Sequence, residues 1–368
     1  MITKKQIIDT YKGYGEEITI ATIGSHSALD ICDGAKEEGF STMVIARKDR
    51  ASPYQKYFKT RKNRGCVDKL IIHDEYSEMK KDVPALKKEN TIFVPNRSFT
   101  SYVDLDWIEK DFDIPIFGSR KLLRVEEERD FYTLLKEAKL PYPKHYKSPE
   151  EIDSLVIVKL PHAKMRKERG FFTAASYEEY KEKTAQLEKT GVIKEEDLKK
   201  AIIEKYIIGP VFNFDFFYSP LEKEIELLGV DWRFESSLDG FVRLPASQQL
   251  TLQGKQRNPI YTVVGHNLAT VRESLLPKVF DMAEKFVEHT KKDHELIGPF
   301  CLQTVVDENM DFYIYDVAVR IGGGTNVHIW NGHPYGNMLH RERMSTGRRI
   351  ALEINTAKEQ ERIDEVLS

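Results

Sequence analysis

The chain has only three cysteines, Cys32, Cys66 and Cys301, in 368 residues. They are odd in number and lack the close spacing of a metal knuckle, which argues against a disulfide framework and reads as reduced, structural thiols. No apolar run approaches the roughly 18 residues that a membrane helix needs. Met1-Ile2-Thr3-Lys4-Lys5-Gln6 lacks the apolar core of a secretory signal, so a cytoplasmic protein without membrane contact is expected. An excess of one charge is missing too: 56 Lys and Arg against 59 Asp and Glu leave a net −3, and no global basic field points to nucleic acid. Internal repeats and low-complexity segments are absent. The length allows two or three domains around sizeable cores, and partners have to be argued from sites.

The clearest supersecondary signal runs from Glu17 to Ala46: an apolar strand Ile18 to Ile23, a Gly24-Ser25-His26-Ser27 turn, a helix from Ala28 to Glu38, then strand Thr42 to Ala46. Such a βαβ unit offers an anion the free N–H groups beyond its first strand, where Ser25 and His26 stand. The strand Thr91 to Pro95 ends in the hydroxyl-rich turn Asn96-Arg97-Ser98 and brings Ser98 toward the same edge. A helix cap or turn role is the plain alternative for Ser25, His26 and Ser98. Composition changes at residue 119, after which Arg120 to Leu140 reads as one amphipathic helix. Strands Leu155 to Leu160 and Gly170 to Ala175, a helix, and strand Ala201 to Ile208 describe a small α+β lid. The remainder alternates strands (Phe212 to Tyr218, Glu224 to Val230, Phe300 to Val306, Phe312 to Val319) with a helix near Pro277 to Lys292. Glu359 to Ser368 reads as a short charged tail. The expected division is 1–119, an N-terminal α/β domain; 120–210, the small lid; and 211–368, a large C-terminal subdomain.

Tyr315-Asp316-Val317-Ala318-Val319-Arg320-Ile321-Gly322-Gly323-Gly324-Thr325-Asn326 sets a carboxylate, a guanidinium and an amide-rich loop within a dozen residues. The three glycines are read as serving backbone approach to an anion rather than packing. An ordinary turn with a surface salt bridge is the alternative.

Taken with Ile20 to Ser27, Arg272 to Pro277 and Gly298 to Gln303, that segment resembles the archaeal 5-formaminoimidazole-4-carboxamide ribonucleotide synthetase family of the ATP-grasp superfamily. The resemblance covers nearly the whole chain and implies an α/β and α+β protein: an ATP-grasp fold behind a Rossmann-like preATP-grasp domain. The activity it implies is ATP-dependent formylation of the 5-amino group of 5-aminoimidazole-4-carboxamide ribonucleotide (AICAR) in IMP biosynthesis, through formyl phosphate, with release of ADP and phosphate. Its partners are a ribonucleotide, formate and ATP, and the family tends to form homo-oligomers, for which the aromatic-rich middle with Trp232 and Trp330 leaves room.

The same resemblance implies the site. Lys159 matches the lid lysine that reaches ATP phosphates, Glu204, Tyr206 and Ile207 the hinge that reads adenine, and Glu235 an acid that contacts the nucleotide. Gln303 and Asp316 are the metal ligands, for Mg²⁺ or Mn²⁺. Arg320 would meet the charge of the transferring phosphoryl group, making Arg320 and Lys159 the catalytic pair. Ser25, His26 and Ser98 would bind the substrate phosphate, and His266, Thr325 and Asn326 the rest of the substrate. Three departures stand out: a basic lid loop at residues 161–170 in place of a glycine-rich one, Asp316 where the family has Glu, and His266 where it has Asn. They leave open a sibling ligase for another ribonucleotide or carboxylate, and a nucleotide sensor that has lost turnover. Retention of Lys159, Gln303, Asp316 and Arg320 together argues against the sensor.

Overall fold

The computed structural model describes residues 1–128, 130–160, 171–191, 193–252, 262–293 and 295–368. Their strands form three sheets. The first, in order β3-β2-β1-β4, is parallel throughout: β1 (Thr19–Ile23), β2 (Ser41–Arg47), β3 (Lys69–His73) and β4 (Thr91–Phe93). All five residues of β1 are buried, as expected of a central parallel strand covered on both faces. The helix Ala28–Glu37 follows β1 and packs against the distant helix Thr346–Glu359. The two cross at glycines: a Cβ on Gly34 would lie 2.0 Å from the Arg348 nitrogen, and one on Gly347 2.0 Å from the Asp30 carbonyl oxygen.

The second sheet, β5-β8-β6-β7, is antiparallel and comprises β5 (His145–Tyr146), β6 (Val156–Lys159), β7 (Phe171–Ala174) and β8 (Ile202–Lys205). The expected strand Ala201 to Ile208 stops at Lys205. Tyr206 N–H donates to Leu155 (2.8 Å), and the Gly209-Pro210 pair beyond it turns the chain out of the ladder. The basic loop between β6 and β7, residues 161–170, lies outside the described residues.

The third sheet, β11-β10-β9-β12-β13, is antiparallel: β9 (Val211–Ser219), β10 (Glu224–Glu235), β11 (Val263–Leu268), β12 (Gly298–Val306) and β13 (Phe312–Ala318). Alternation along β9 sends Phe214 and Phe216 into a core with Phe286 and Phe300 beneath the helix Leu276–Asp293, and Asn213 and Asp215 to the other face.

Three further expectations change. Arg120 to Leu140 is two helices, Arg120–Glu127 and Phe131–Glu137; between them Asp130 N–H donates five residues back, to Val125 (3.0 Å), which ends the first helix. Strand β11 contains Gly265-His266-Asn267, a run that gives no strand signal in the sequence. The C-terminal segment is not a loose tail: Val366 and Leu367 are buried, and Ser368 exchanges backbone hydrogen bonds with Ile116 (3.0 and 2.9 Å).

The glycine crossing generates a prediction. Gly34→Ala should destabilise the chain by about 1–3 kcal/mol through overpacking, whereas Gly240→Ala, where a Cβ would meet nothing within 4 Å, should be close to neutral. Chemical denaturation of both variants tests this; equal midpoints would remove the close helix contact.

Candidate active site

Strands β1 and β4 pair in parallel, so the turns that follow them leave the sheet at one edge. Asn96 ties the turns together: its amide nitrogen donates to the carbonyls of Ile23 (2.7 Å) and Ser25 (3.2 Å), and its oxygen accepts from Ser98 N–H (3.0 Å). His26 occupies the left-handed region at φ 42°, a strained conformation for a side chain with a Cβ. Ser25 is half-buried and His26 is exposed. Ser98 is fully buried and its Oγ has no protein partner.

The glycine turn is fastened to this edge. Ser27 Oγ donates to the Gly322 carbonyl, and Asn326 Nδ2 to the His26 carbonyl (3.1 Å). The expectation that these glycines do not serve packing is corrected for two of the three. A Cβ on Gly322 would stand 2.9 Å from Asp215 Oδ1, and one on Gly324 2.4 Å from the Asp231 carboxylate. Gly323 alone turns to the cleft, toward His26 and His266. Asp231, itself buried, accepts from Asn213 Nδ2 (2.8 Å) and holds His266 Nδ1 at 2.6 Å. Thr325 is buried on the inner side of the turn.

A second group lies where β6 meets β13. Lys159 Nζ stands 2.7 Å from Glu204 Oε1 and donates to Tyr132 Oη (2.8 Å) and to the Tyr315 carbonyl (3.0 Å). That carbonyl is available because Tyr315 is the extra residue of a bulge: Gln303 pairs with Asp316 and Thr304 with Ile314. Burial alone would raise the pKa of Glu204, but the Lys159 charge and hydrogen bonds from His145, Lys159 and Tyr132 outweigh it and hold the carboxyl below its usual range. Tyr206 and Ile207 follow β8, half-buried.

The same bulge sets Gln303 directly opposite Asp316. Gln303 Oε1 is buried without a protein partner, an orphaned acceptor beside a carboxylate. This donor pair suits a hard cation that takes its remaining ligands from phosphate and water. Arg320 is buried; its Nη2 pairs with Glu126 Oε1 (2.7 Å) and its Nη1 donates to the Ile321 carbonyl (2.9 Å). Arg97 pairs with Glu127 and reaches Glu126 at 3.5 Å. Arg233 donates to Tyr315 Oη. Burial opposes the Arg233 charge, yet Tyr315, Glu235 and Asp316 keep its pKa above the ordinary value. Burial also pushes Tyr315 up to about 12. Glu235 also takes part through its backbone, its N–H donating to Asp239.

His26, Gly323 and His266 thus meet at one place, and Lys159 and Glu204 lie beside β13 near Gln303 and Asp316. Ser98 faces inward rather than into the opening. Sequence reasoning passed over Arg97, Glu126, Tyr132, Asp231 and Arg233. Arg97 neighbours Ser98, and a cation in the turn after a strand is the available signal there; Arg233 lies within β10, where nothing local marks it. Glu126 lies in an amphipathic helix where nothing marks it apart from a solvated Glu.

Residues 179–368 match a family described as a domain of unknown function, DUF1297, and residues 20–146 one described as a protein of unknown function, DUF1246. The chain is 44% identical, over 100% of both sequences, to the 5-formaminoimidazole-4-carboxamide-1-(β)-D-ribofuranosyl 5′-monophosphate synthetase of Methanocaldococcus jannaschii. It is similar to the crystal structure of an IMP biosynthesis protein, PurP, from Thermococcus kodakaraensis, with TM-score 0.72 and 29% identity over 95% of this chain and 100% of that one. A more distant likeness, TM-score 0.59 at 14% identity over 89% of this chain and 76% of the other, is to the ADP complex of PurK, N5-carboxyaminoimidazole ribonucleotide synthetase.

The surroundings of His26 carry a prediction. Although His26 keeps an exposed edge, the protein atoms packed around its ring desolvate it, and with the charges of Arg320, Arg97, His266 and Arg50 this pushes its pKa down to about 4. The ring should therefore stay neutral from pH 8 down to about 5, where a free histidine is mostly protonated. NMR titration of the His26 ring checks this, and a midpoint above about 6 would contradict the crowded geometry.

Proposed function

The chain belongs to the 5-formaminoimidazole-4-carboxamide-1-(β)-D-ribofuranosyl 5′-monophosphate synthetase family and has the ATP-grasp fold, and on that premise we propose how its residues carry out the synthesis. It is a carbon–nitrogen ligase of IMP biosynthesis that uses ATP and formate to convert AICAR to its formamide, releasing ADP and phosphate. The observation that supports the site assignment best is the facing pair Gln303 and Asp316, with an orphaned buried amide oxygen, set between the Lys159 cluster and the glycine turn.

Formate is a poor electrophile because its leaving group would be oxide or hydroxide. A formate oxygen attacks the γ-phosphorus, the bond to the β-phosphate oxygen breaks, and formyl phosphate and ADP result. The 5-amino nitrogen then attacks the formyl carbon, and the tetrahedral adduct expels inorganic phosphate and loses one proton. Lys159, Arg97, Arg233 and Arg320 supply the positive charge that both steps need. Each is already held by a carboxylate, phenol or carbonyl, so little reorganisation accompanies the arrival of phosphate. Gln303 and Asp316 would hold Mg²⁺, which when bound neutralises phosphate oxygens. Tyr206 and Ile207 would take the adenine edge and Glu235 the ribose, while Ser25, His26 and Asn326 receive the ribonucleotide. His266, oriented through Nδ1 by Asp231, turns its Nε2 toward Gly323 and is placed to take the amine proton. Water must be kept from the acyl phosphate while it exists, a role for the small sheet.

His266 also supports a second reading, the same ligation on another ribonucleotide or carboxylate, because an imidazole can carry charge where an amide cannot.

A phosphate-release assay across ribonucleotides and carboxylates separates the two. Release of one phosphate per formamide, only with AICAR and formate together, is expected; turnover with another pair and none with this one would select the second reading. Asp316→Asn should impair Mg²⁺-ATP use far more than AICAR binding, and unchanged activity would remove Asp316 from the metal site. Arg320→Ala should lower kcat by about 10²–10³; an effect confined to KM would assign it to ground-state binding.

A further inference from the structure

Behind the glycine turn, away from the cleft, three ligand-type side chains converge: Asp215 on β9, His328 at the end of the short helical turn Thr325–His328, and His333 just before the helix Pro334–His340. One nitrogen or oxygen from each lies within 4.8 Å of the other two. His328 and His333 are 0% exposed and Asp215 is 3% exposed. Asp215 Oδ2, His328 Nε2 and His333 Nδ1 are all buried without a hydrogen-bond partner. One orphaned buried polar atom is uncommon, and three facing one another call for an occupant.

The second nitrogen of each ring is engaged. His328 Nδ1 lies 3.3 Å from the Gly332 carbonyl, and His333 Nε2 2.7 Å from Thr346 Oγ1. The Gly332 carbonyl can only accept, so Nδ1 of His328 carries the proton and Nε2 presents a lone pair. Outer partners of this kind orient metal-binding histidines. The backbone makes room as well. A bulge in β10 at Leu228 sets Gly229 opposite Asp215, and a Cβ there would lie 2.3 Å from His333 Nδ1 and 3.4 Å from His328 Nε2. Only a residue without a side chain leaves that space open. Asp231, 1% exposed on the neighbouring strand, adds a second carboxylate whose near cation is His266, charged only when protonated. Two buried carboxyl groups with so little positive charge must either share a proton or take up a cation.

We propose that Asp215, His328 and His333 form a structural site for one divalent cation of the Zn²⁺ type, separate from the Gln303–Asp316 pair. Two imidazoles and a carboxylate are the donor set of Zn²⁺ rather than of Mg²⁺, which takes oxygen ligands. The ion joins β9 to the segment that follows the glycine turn and so sets the floor on which Gly322 and Gly324 rest. The rings now stack with centroids 3.7 Å apart and planes 25° from parallel. Because each lone pair lies in its ring plane, loading turns the imidazoles edge-on to the ion and opens the stack.

The test is elemental analysis of the untagged full-length protein, purified without chelator and desalted into metal-free buffer. About one equivalent of zinc per chain is expected. His333→Gln and Asp215→Asn should lose it and Asp316→Asn should keep it, which separates this ion from the nucleotide's metal and makes the result independent of the catalytic reading. Growth on cobalt should give a protein with the visible absorption of low-symmetry Co²⁺. If His333→Gln does not fold, the wild-type content and the cobalt spectrum still decide. Less than about a tenth of an equivalent of any transition metal in folded wild-type protein, or undiminished zinc in His333→Gln, overturns the site and leaves the three atoms to a buried water.

Discussion

Two carboxylates, Asp215 and Asp231, lie buried beneath a turn that has no side chains, and the placement of the cleft follows from that contact. Glycine is required at 322 and 324 because carboxylate oxygens occupy the space a Cβ would take. Once the turn lies this low, Ser27 can reach the Gly322 carbonyl and Asn326 the His26 carbonyl. The first sheet's edge and the third sheet's end are thereby fixed to each other by polar contacts, in addition to the buried cluster that runs from Ile20 and Ile92 to Phe217, Leu228 and Ile321. Asp231 also orients His266, so one buried carboxyl group sets both the backbone and the imidazole that line the cleft.

Around this floor the cations are arranged in advance. Lys159 rests on Glu204, Tyr132 and Tyr315; Arg320 rests on Glu126; Arg97 on Glu127; Arg233 on Tyr315. Each partner lowers the cost of holding a cation in a poorly solvated place and keeps the side chain in one orientation. In the proposed reaction a phosphate would meet cations already held in place, which is how electrostatic catalysis avoids reorganising its surroundings at the moment of reaction.

How much of this the sequence made legible depended on the range of the signal. The βαβ unit was readable because an apolar run, a turn and an amphipathic segment follow one another within 30 residues. Asp316 is legible from the carboxylate, guanidinium and glycines of its own segment, whereas Gln303, Lys159 and Glu204 come from resemblance, and the positions of all four relative to one another rest on the bulge at Tyr315, which alternation alone does not reveal. The glycines were read as an anion cradle since their actual neighbours, Asp215 and Asp231, are about a hundred residues away and looked like ordinary polar positions of two strands. The burial of Val366 and Leu367 was hidden by the charges that precede them.

The helix crossing at Gly34 and Gly347 joins residues far apart in the chain; the bond from Gly347 N–H to Asp30 spans 317 positions. During synthesis, the helix Ala28–Glu37 therefore emerges long before the surface that covers it. The first parallel sheet must wait, partly uncovered, while the other two sheets are made. Such an order favours slow completion and exposes apolar area that neighbouring nascent chains can bind. The tight glycine contact thus makes the earliest part of the chain among the last to be finished.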